Sequence, residues 1–209
     1  MKKIATLMIA SVALVAASCS SAEEEVSEDT NQEVEAVTYN LDGGASSLAW
    51  AANMGPDYGH EGTVGITEGT LTVKGDDVSG NFTIDMSTIK STDLDEPKAT
   101  YLSAHLQGTA PDEDHPVDMF FNVPMYPTVG VTVDGYSDGK LMLTLDIVGK
   151  ELKQDVAAEM TSDENGASIK GDFSLDLTSL GIPGLQPNPE DGSQINPVID
   201  FTLDAVLTK

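Results

Sequence analysis

The chain has 209 residues, with 35 Asp and Glu against 10 Lys and Arg and a formal net charge of −25. Every one of those cations is a lysine, so the surface lacks the forked guanidinium suited to phosphate, and it repels nucleic acid and anionic headgroups. Nucleic-acid binding is therefore not expected, and the single cysteine excludes an internal disulfide.

Lys2 and Lys3 precede an apolar run, Ile4–Ala17, which is shorter than the ~20 residues a spanning helix needs. Residues 1–18 are expected to be a signal peptide. Ala16-Ala17-Ser18-Cys19 resembles a bacterial lipobox, with Ala16 where Leu is usual. Cys19 is thus the expected lipidation site, and several acyl chains would hold the protein on a membrane. Residues 19–36 are acidic, Ser-rich and poor in apolar residues, as a disordered tether is. Such Cys-Ser-acidic starts resemble those of Bacteroidetes surface lipoproteins, where they act as an export signal. The expected location is the cell envelope, as an outer-membrane lipoprotein facing the periplasm or the surface. Residues 37–209 then form one domain, long enough for a sizeable core.

From Val37 the apolar residues recur at every second position, with turn residues between the runs. Val37, Tyr39 and Leu41 form one strand, and Leu48, Trp50 and Ala52 a second, with Asp42-Gly43-Gly44 turning between them. Asn53–Gly62 reads as a loop. Val64 and Ile66, then Leu71 and Val73, predict two short strands separated by Glu68-Gly69. Val78–Met86 is a clean strand, with Phe82, Ile84 and Met86 on one face. The pattern then stops, and Ser87–Met125 reads as a long excursion between strands. Connections of that length are usually functional. Tyr101, Leu102, His105 and Leu106 have helical spacing, which predicts a helix over Lys98–Gln107 with Pro97 at its start.

Met119–Val133 combines Phe120, Phe121, Met125 and Tyr126 with Pro124 and Pro127, then leads into Val129, Val131 and Val133. Prolines cannot donate to a ladder, so the aromatics sit on an irregular segment that feeds a strand. Two readings stand. The rings plug one end of a barrel core, or they form the mouth of an apolar ligand cavity.

Strands resume after it. Asp138-Gly139 is a hairpin signal, followed by Leu141, Leu143, Leu145 and Ile147. Gly149-Lys150 turns into a weaker strand with Val156, Ala158 and Met160. Asn165-Gly166 is a second hairpin signal, before Ile169, Phe173, Leu175 and Leu177. Residues 181–197 are a Pro- and Gly-rich loop, and the last strand carries Ile199, Phe201, Leu203 and Leu207. About eight to ten strands in an antiparallel meander either close into a barrel or fold as a sandwich. The inward set carries no charge on the clearest strands, so any ligand inside is largely apolar. Small inward residues such as Gly171 and Ala205 leave volume for Trp50, Phe82, Phe173 and Phe201, or for a ligand, to fill.

No catalytic chemistry is legible. His60, His105 and His115 have no ligand spacing on one element, and His115 with Asp112, Glu113, Asp114 and Asp118 fits no standard cation loop. No Gly-x-Ser-x-Gly occurs, and no Gly-rich turn leads into a helix. The chain is expected not to be an enzyme and to hold no metal.

The order of motifs resembles the YceI-like family of lipid-binding domains. The carriers are Tyr39–Asp42 with Ser46–Trp50, Gly62-Thr63-Val64 with Gly69–Val73, and Phe82–Ile89 with Ser91–Leu94. His105-Leu106, Phe120–Val123, Tyr126-Pro127-Thr128 and Leu143–Lys150 complete the set. The acidic stretch 111–118 and the loop 181–197 depart from the family. So do Val129 and Val131, where the family often has a Phe. The resemblance implies an all-β, lipocalin-like antiparallel β-barrel of about eight strands, with one long insertion carrying a short helix. It implies an isoprenoid or other long-chain lipid as ligand in place of any cofactor, and pairing as a homodimer. The residues expected to line the ligand are Trp50, Phe82, Ile84, Phe120, Phe121, Tyr126, Val131, Leu143, Leu145, Phe173, Leu175 and Phe201. The expected function is non-enzymatic binding or carriage of that lipid. The alternative is a filled acidic barrel acting as an interaction module on the envelope surface.

Overall fold

The computed structural model describes residues 34–55, 58–190 and 192–209. The expected leader, Cys19 and most of the tether lie outside the described residues.

Among the described residues, alternating apolar residues produce ten strands. They are Val37–Leu41 (β1), Ser47–Asn53 (β2), Gly59–Lys74 (β3), Asp77–Ser91 (β4), Thr128–Ser137 (β5) and Lys140–Ile147 (β6). Lys150–Ala157 (β7), Glu159–Ser162 (β8), Gly166–Asp176 (β9) and Val198–Thr208 (β10) follow. One helix, Lys98–Gln107 (α1), stands between β4 and β5 with Pro97 at its N-cap, as its spacing predicts.

All the pairings are antiparallel. Two places in the ring are shared by half-strands. β1 and β2 both lie between β3 and β10, one behind the other. β7 pairs with β6, while β8, one residue further on, pairs with β9. Ten strands therefore occupy eight positions around a lipocalin-like barrel, which is the expected fold.

The ring closes where β7 passes into β8. Ala158 lies at that junction, held by its own N–H to the Gly139 carbonyl at 3.0 Å and by Tyr136 Oη to its carbonyl at 3.2 Å. A Cβ on Gly171 would lie 2.6 Å from the Ala157 carbonyl oxygen, so only glycine lets β9 come this near. Beyond that point no ladder joins β7 to β9. Gln154 spans the gap: its Nε2 donates to the Ser174 carbonyl at 2.6 Å, and its Oε1 accepts from the Asp176 N–H at 3.0 Å. Backbone groups that would otherwise lack a partner are satisfied by one side chain.

Several local expectations change. Glu68-Gly69 is not a turn; β3 runs through it, with a register shift between Ile66 and Glu68. β3 also begins at Gly59, inside the stretch read as a loop. β4 does not stop at Met86. Ser87 and Thr88 are both exposed, then Ile89 and Ser91 are buried again and Lys90 and Ser91 pair with β3. Two successive outward residues are the mark of a bulge, and they break the period the sequence reading relied on. Thr88 Oγ1 fixes that bulge, accepting from Gly65 N–H at 2.7 Å and donating to the Asp85 carbonyl at 2.6 Å.

The turn before β7 is Val148-Gly149, with φ of 47° and 71°, one residue earlier than expected. That pair fits a primed hairpin turn, yet a β-branched residue there is rare. Asp138-Gly139 makes the expected turn with φ of 52° and 72°. At the Asn165-Gly166 hairpin the centre lies one residue earlier, because Asp163 Oδ1 accepts from Asn165 and Gly166 N–H at 2.7 and 3.1 Å.

Candidate functional site

The inward faces of the barrel do not meet. They enclose a cavity of about 1040 Å³, at the upper end of the ~300–1,000 Å³ typical of ligand pockets. Leu48 and Trp50 of β2, Phe82, Ile84 and Met86 of β4, and Val129, Val131 and Val133 of β5 supply one side. Leu141, Leu143, Leu145 and Ile147 of β6, Phe173 and Leu175 of β9, and Ile199, Phe201 and Leu203 of β10 line it as well. Each set has the two-residue period of its strand, so the apolar wall follows directly from the alternation. The aromatics do not fill the interior. Phe173 and Phe201 face each other across the β9–β10 ladder and stack at 5.9 Å, so each ring packs on the other. Trp50 lies across from Gly62, and a Cβ there would stand 2.5 Å from its Cζ2. The Trp50 Nε1–H is buried without a hydrogen-bond partner.

Of the residues predicted to line a ligand, all but Tyr126 line this cavity. Tyr126 is the correction. Asn122 adopts φ of 45° and its carbonyl accepts from both Met125 and Tyr126 N–H at 2.9 Å. This tight turn swings Tyr126 away from the interior and lays its ring over Gly149. The segment before the turn does face inward. Phe121 N–H donates to the Leu106 carbonyl at 3.2 Å and Val123 N–H to the Gln107 carbonyl at 2.8 Å, so the end of α1 carries the aromatic pair. Gly184 N–H donates to the Met119 carbonyl at 2.7 Å, and the Phe120 ring packs under Gly184. Phe120 is 7% exposed; Phe121 is half-buried, and both rings line the cavity. Gln107 Nε2 ties the helix back to β4 through the Ser87 and Ile89 carbonyls at 3.0 and 3.2 Å.

The polar lining gathers where β2 and β3 meet, along α1, and in the loops 111–121 and 183–195. All three histidines of the chain line it, which their scattered positions in sequence gave no way to see. His60 Nδ1 bonds Asp93 Oδ2 at 2.9 Å, and Tyr58 stands edge-on to the His60 ring at 5.4 Å. Burial raises the Asp93 carboxyl, but hydrogen bonds from His60 and Ser91 outweigh it and hold the group below its ordinary 3.8. His115 Nδ1 bonds Asp112 Oδ1 at 2.9 Å. The His105 ring is edge-on to His115 at 4.5 Å and to Phe120 at 5.0 Å, and stacked with Tyr101 at 6.2 Å. Burial, then the neighbouring His115, push its imidazole below 6.5, while Asp112 pulls the other way. The spacing of Tyr101 and His105, one helical turn apart, places those two rings on one helix face, but says nothing of His60 or His115. Among the described residues no group of three or more His, Cys, Asp or Glu is placed to hold a metal.

The YceI-like domain model matches residues 39–207 of the chain. Two solved structures are similar in fold. One is a polyisoprenoid binding domain from Saccharophagus degradans implicated in plant cell wall breakdown. It is 13% identical, with a TM-score of 0.54 over 81% of this chain and 97% of that one. The other is BcnA of Burkholderia cenocepacia, also 13% identical, with a TM-score of 0.60 over 79% of this chain and 98% of that one. No curated protein matches the chain.

Proposed function

The chain belongs to the YceI-like domain family, and from that premise we propose that it binds and carries an apolar, isoprenoid-type lipid without transforming it. The observation that carries this reading is the cavity of about 1040 Å³ with an uncharged strand wall. An apolar chain placed there removes wall and chain from water together, at roughly 25 cal/mol per Å². One protein of similar fold is itself a polyisoprenoid binding domain, which supports the choice of lipid. A filled barrel acting only as an acidic interaction module has no use for so large a void. Lipidation at Cys19 would place the carrier on the cell envelope. The test is mass spectrometry of an organic extract of the purified protein, with uptake of added isoprenoid as the second arm. A recovered or absorbed long-chain lipid in stoichiometric amount is expected. Repeated recovery of none, and no uptake, would return the reading to the interaction module.

A further inference from the structure

Three histidines line one cavity, yet they are not equivalent. His60 and His115 each give Nδ1 to a carboxylate, Asp93 and Asp112, at 2.9 Å. His105 hydrogen-bonds no carboxylate, and neither of its ring nitrogens hydrogen-bonds to a described residue; its ring packs against Tyr101, His115 and Phe120. It is half-buried and lines the cavity beside those rings. A donor and an acceptor are thus held in a fixed aromatic frame at the one end of the cavity where polar groups gather.

The charge of that end says what the group would meet. The segments framing it carry Asp93, Asp95, Glu96, Asp112, Glu113 and Asp114. Lys98 is the one lysine that lines the cavity. Fixed negative charge around a mouth raises the local potential against an anion. Burial and His115 favour the uncharged form of His105, which can donate or accept but supplies no counter-charge.

We propose that His105 is the head-group contact of this cavity: it hydrogen-bonds an uncharged oxygen, as an alcohol, phenol or carbonyl, at the end of an apolar chain. The site rejects the phosphorylated form of the same chain. This inference rests on the carrier reading above and adds to it the class of head and the residue that selects it.

The test compares three probes with one chain length on the full-length protein: geranylgeraniol, geranylgeranyl phosphate, and the corresponding hydrocarbon without oxygen. Quenching of Trp50, the only tryptophan, reports occupancy of the cavity. The alcohol is expected to bind several-fold to about tenfold tighter than the hydrocarbon, the range of one net hydrogen bond. The phosphate is expected to bind more weakly than the alcohol. His105→Leu should bring the alcohol down to the affinity of the hydrocarbon, and His105→Gln, which keeps a donor and an acceptor, should retain the preference. Phosphate binding as tightly as alcohol, or an alcohol preference that survives His105→Leu, overturns the proposal while leaving the carrier reading intact. Should the Leu variant fail to fold, His105→Phe, which keeps an aromatic ring without its nitrogens, takes its place with the same loss of the alcohol preference expected and the same survival of that preference overturning the proposal. Failure of all three probes to bind removes the carrier reading and this proposal together.

Discussion

Gln154 holds Ser174: across a gap where β7 and β9 form no ladder, the side-chain amide donates to the Ser174 carbonyl at 2.6 Å and accepts from the Asp176 N–H at 3.0 Å. One residue does the work of a strand pairing there. Gln154→Leu should therefore leave two exposed backbone groups of β9 to water, at a cost of about 0.5–1.5 kcal/mol for each hydrogen bond lost. Hydrogen exchange should rise at Asp176, with the Tm falling in step. Unchanged exchange at Asp176 would show that the seam is held by something else.

Gly62→Ala tests the close approach of strand and ring. The new Cβ would stand 2.5 Å from Trp50 Cζ2 and 2.0 Å from the Lys90 carbonyl oxygen. Neither neighbour is a flexible chain end, so overpacking should cost at least ~1–3 kcal/mol. A shifted Trp50 emission maximum should accompany the loss. A variant as stable as the parent would mean that β3 and β4 separate more easily here than the ladder suggests.

Phe120 and Phe121 should part company. Phe120 is 7% exposed and packed beneath Gly184, so Phe120→Ala should cost close to the ~3–5 kcal/mol of a buried ring. Phe121 is half-buried on the cavity wall and should cost less stability but weaken lipid binding, by about 1–2 kcal/mol on area grounds. Thermal unfolding and lipid titration on each variant separate the two effects. Equal stability losses with unchanged affinity would make both rings a plug.

Acidification should loosen the mouth first. His105 faces Tyr101 on its own helix, His115 and Asp112 from the acidic loop, and Phe120 from the aromatic segment, with Lys98 on the lining of the same cavity. Its folded-state pKa lies below the ordinary 6.5, through burial and then His115. As the pH falls through 6.5 the unfolded chain takes up the proton before the folded one, so stability is full above that value and declines below it. His105→Gln should flatten the profile in this window. A profile identical to the parent would assign the decline to another group.

Cys19→Ser is expected to release the protein from the membrane fraction to the soluble one, since the acyl chains would be the attachment. A variant that still sediments with membranes would sink the lipobox reading.

Much of this barrel was legible because alternation is a local signal. The β6, β9 and β10 faces, the helix over Lys98–Gln107 and the inward aromatics all follow from spacing within a dozen residues. What was missed is either an interruption of the period or an assembly across the chain. The Ser87-Thr88 bulge adds one outward residue, so β4 looked finished at Met86 when it had only changed phase. Tyr126 was expected on the ligand wall with the other aromatics of its segment, and the tight turn set by the left-handed Asn122 carries it away instead. The histidine rim depends on β3, α1 and an acidic loop meeting at one end of the barrel, and no spacing within any one element encodes it.

The shared strand position of β1 and β2 has a consequence in time. β2 takes one of its two ladders from residues 200–204, and β1 pairs with Leu207 and Thr208. The earliest strands of the domain thus wait for the latest one. Contacts so distant along the chain make folding slow, and no partial product that lacks β10 has a closed wall. Until then the apolar faces stay open to solvent and to each other, the condition in which chains aggregate. Synthesis from the N-terminus therefore leaves a long interval in which this domain stays unfinished, and its completion is set by the arrival of its final eleven-residue strand.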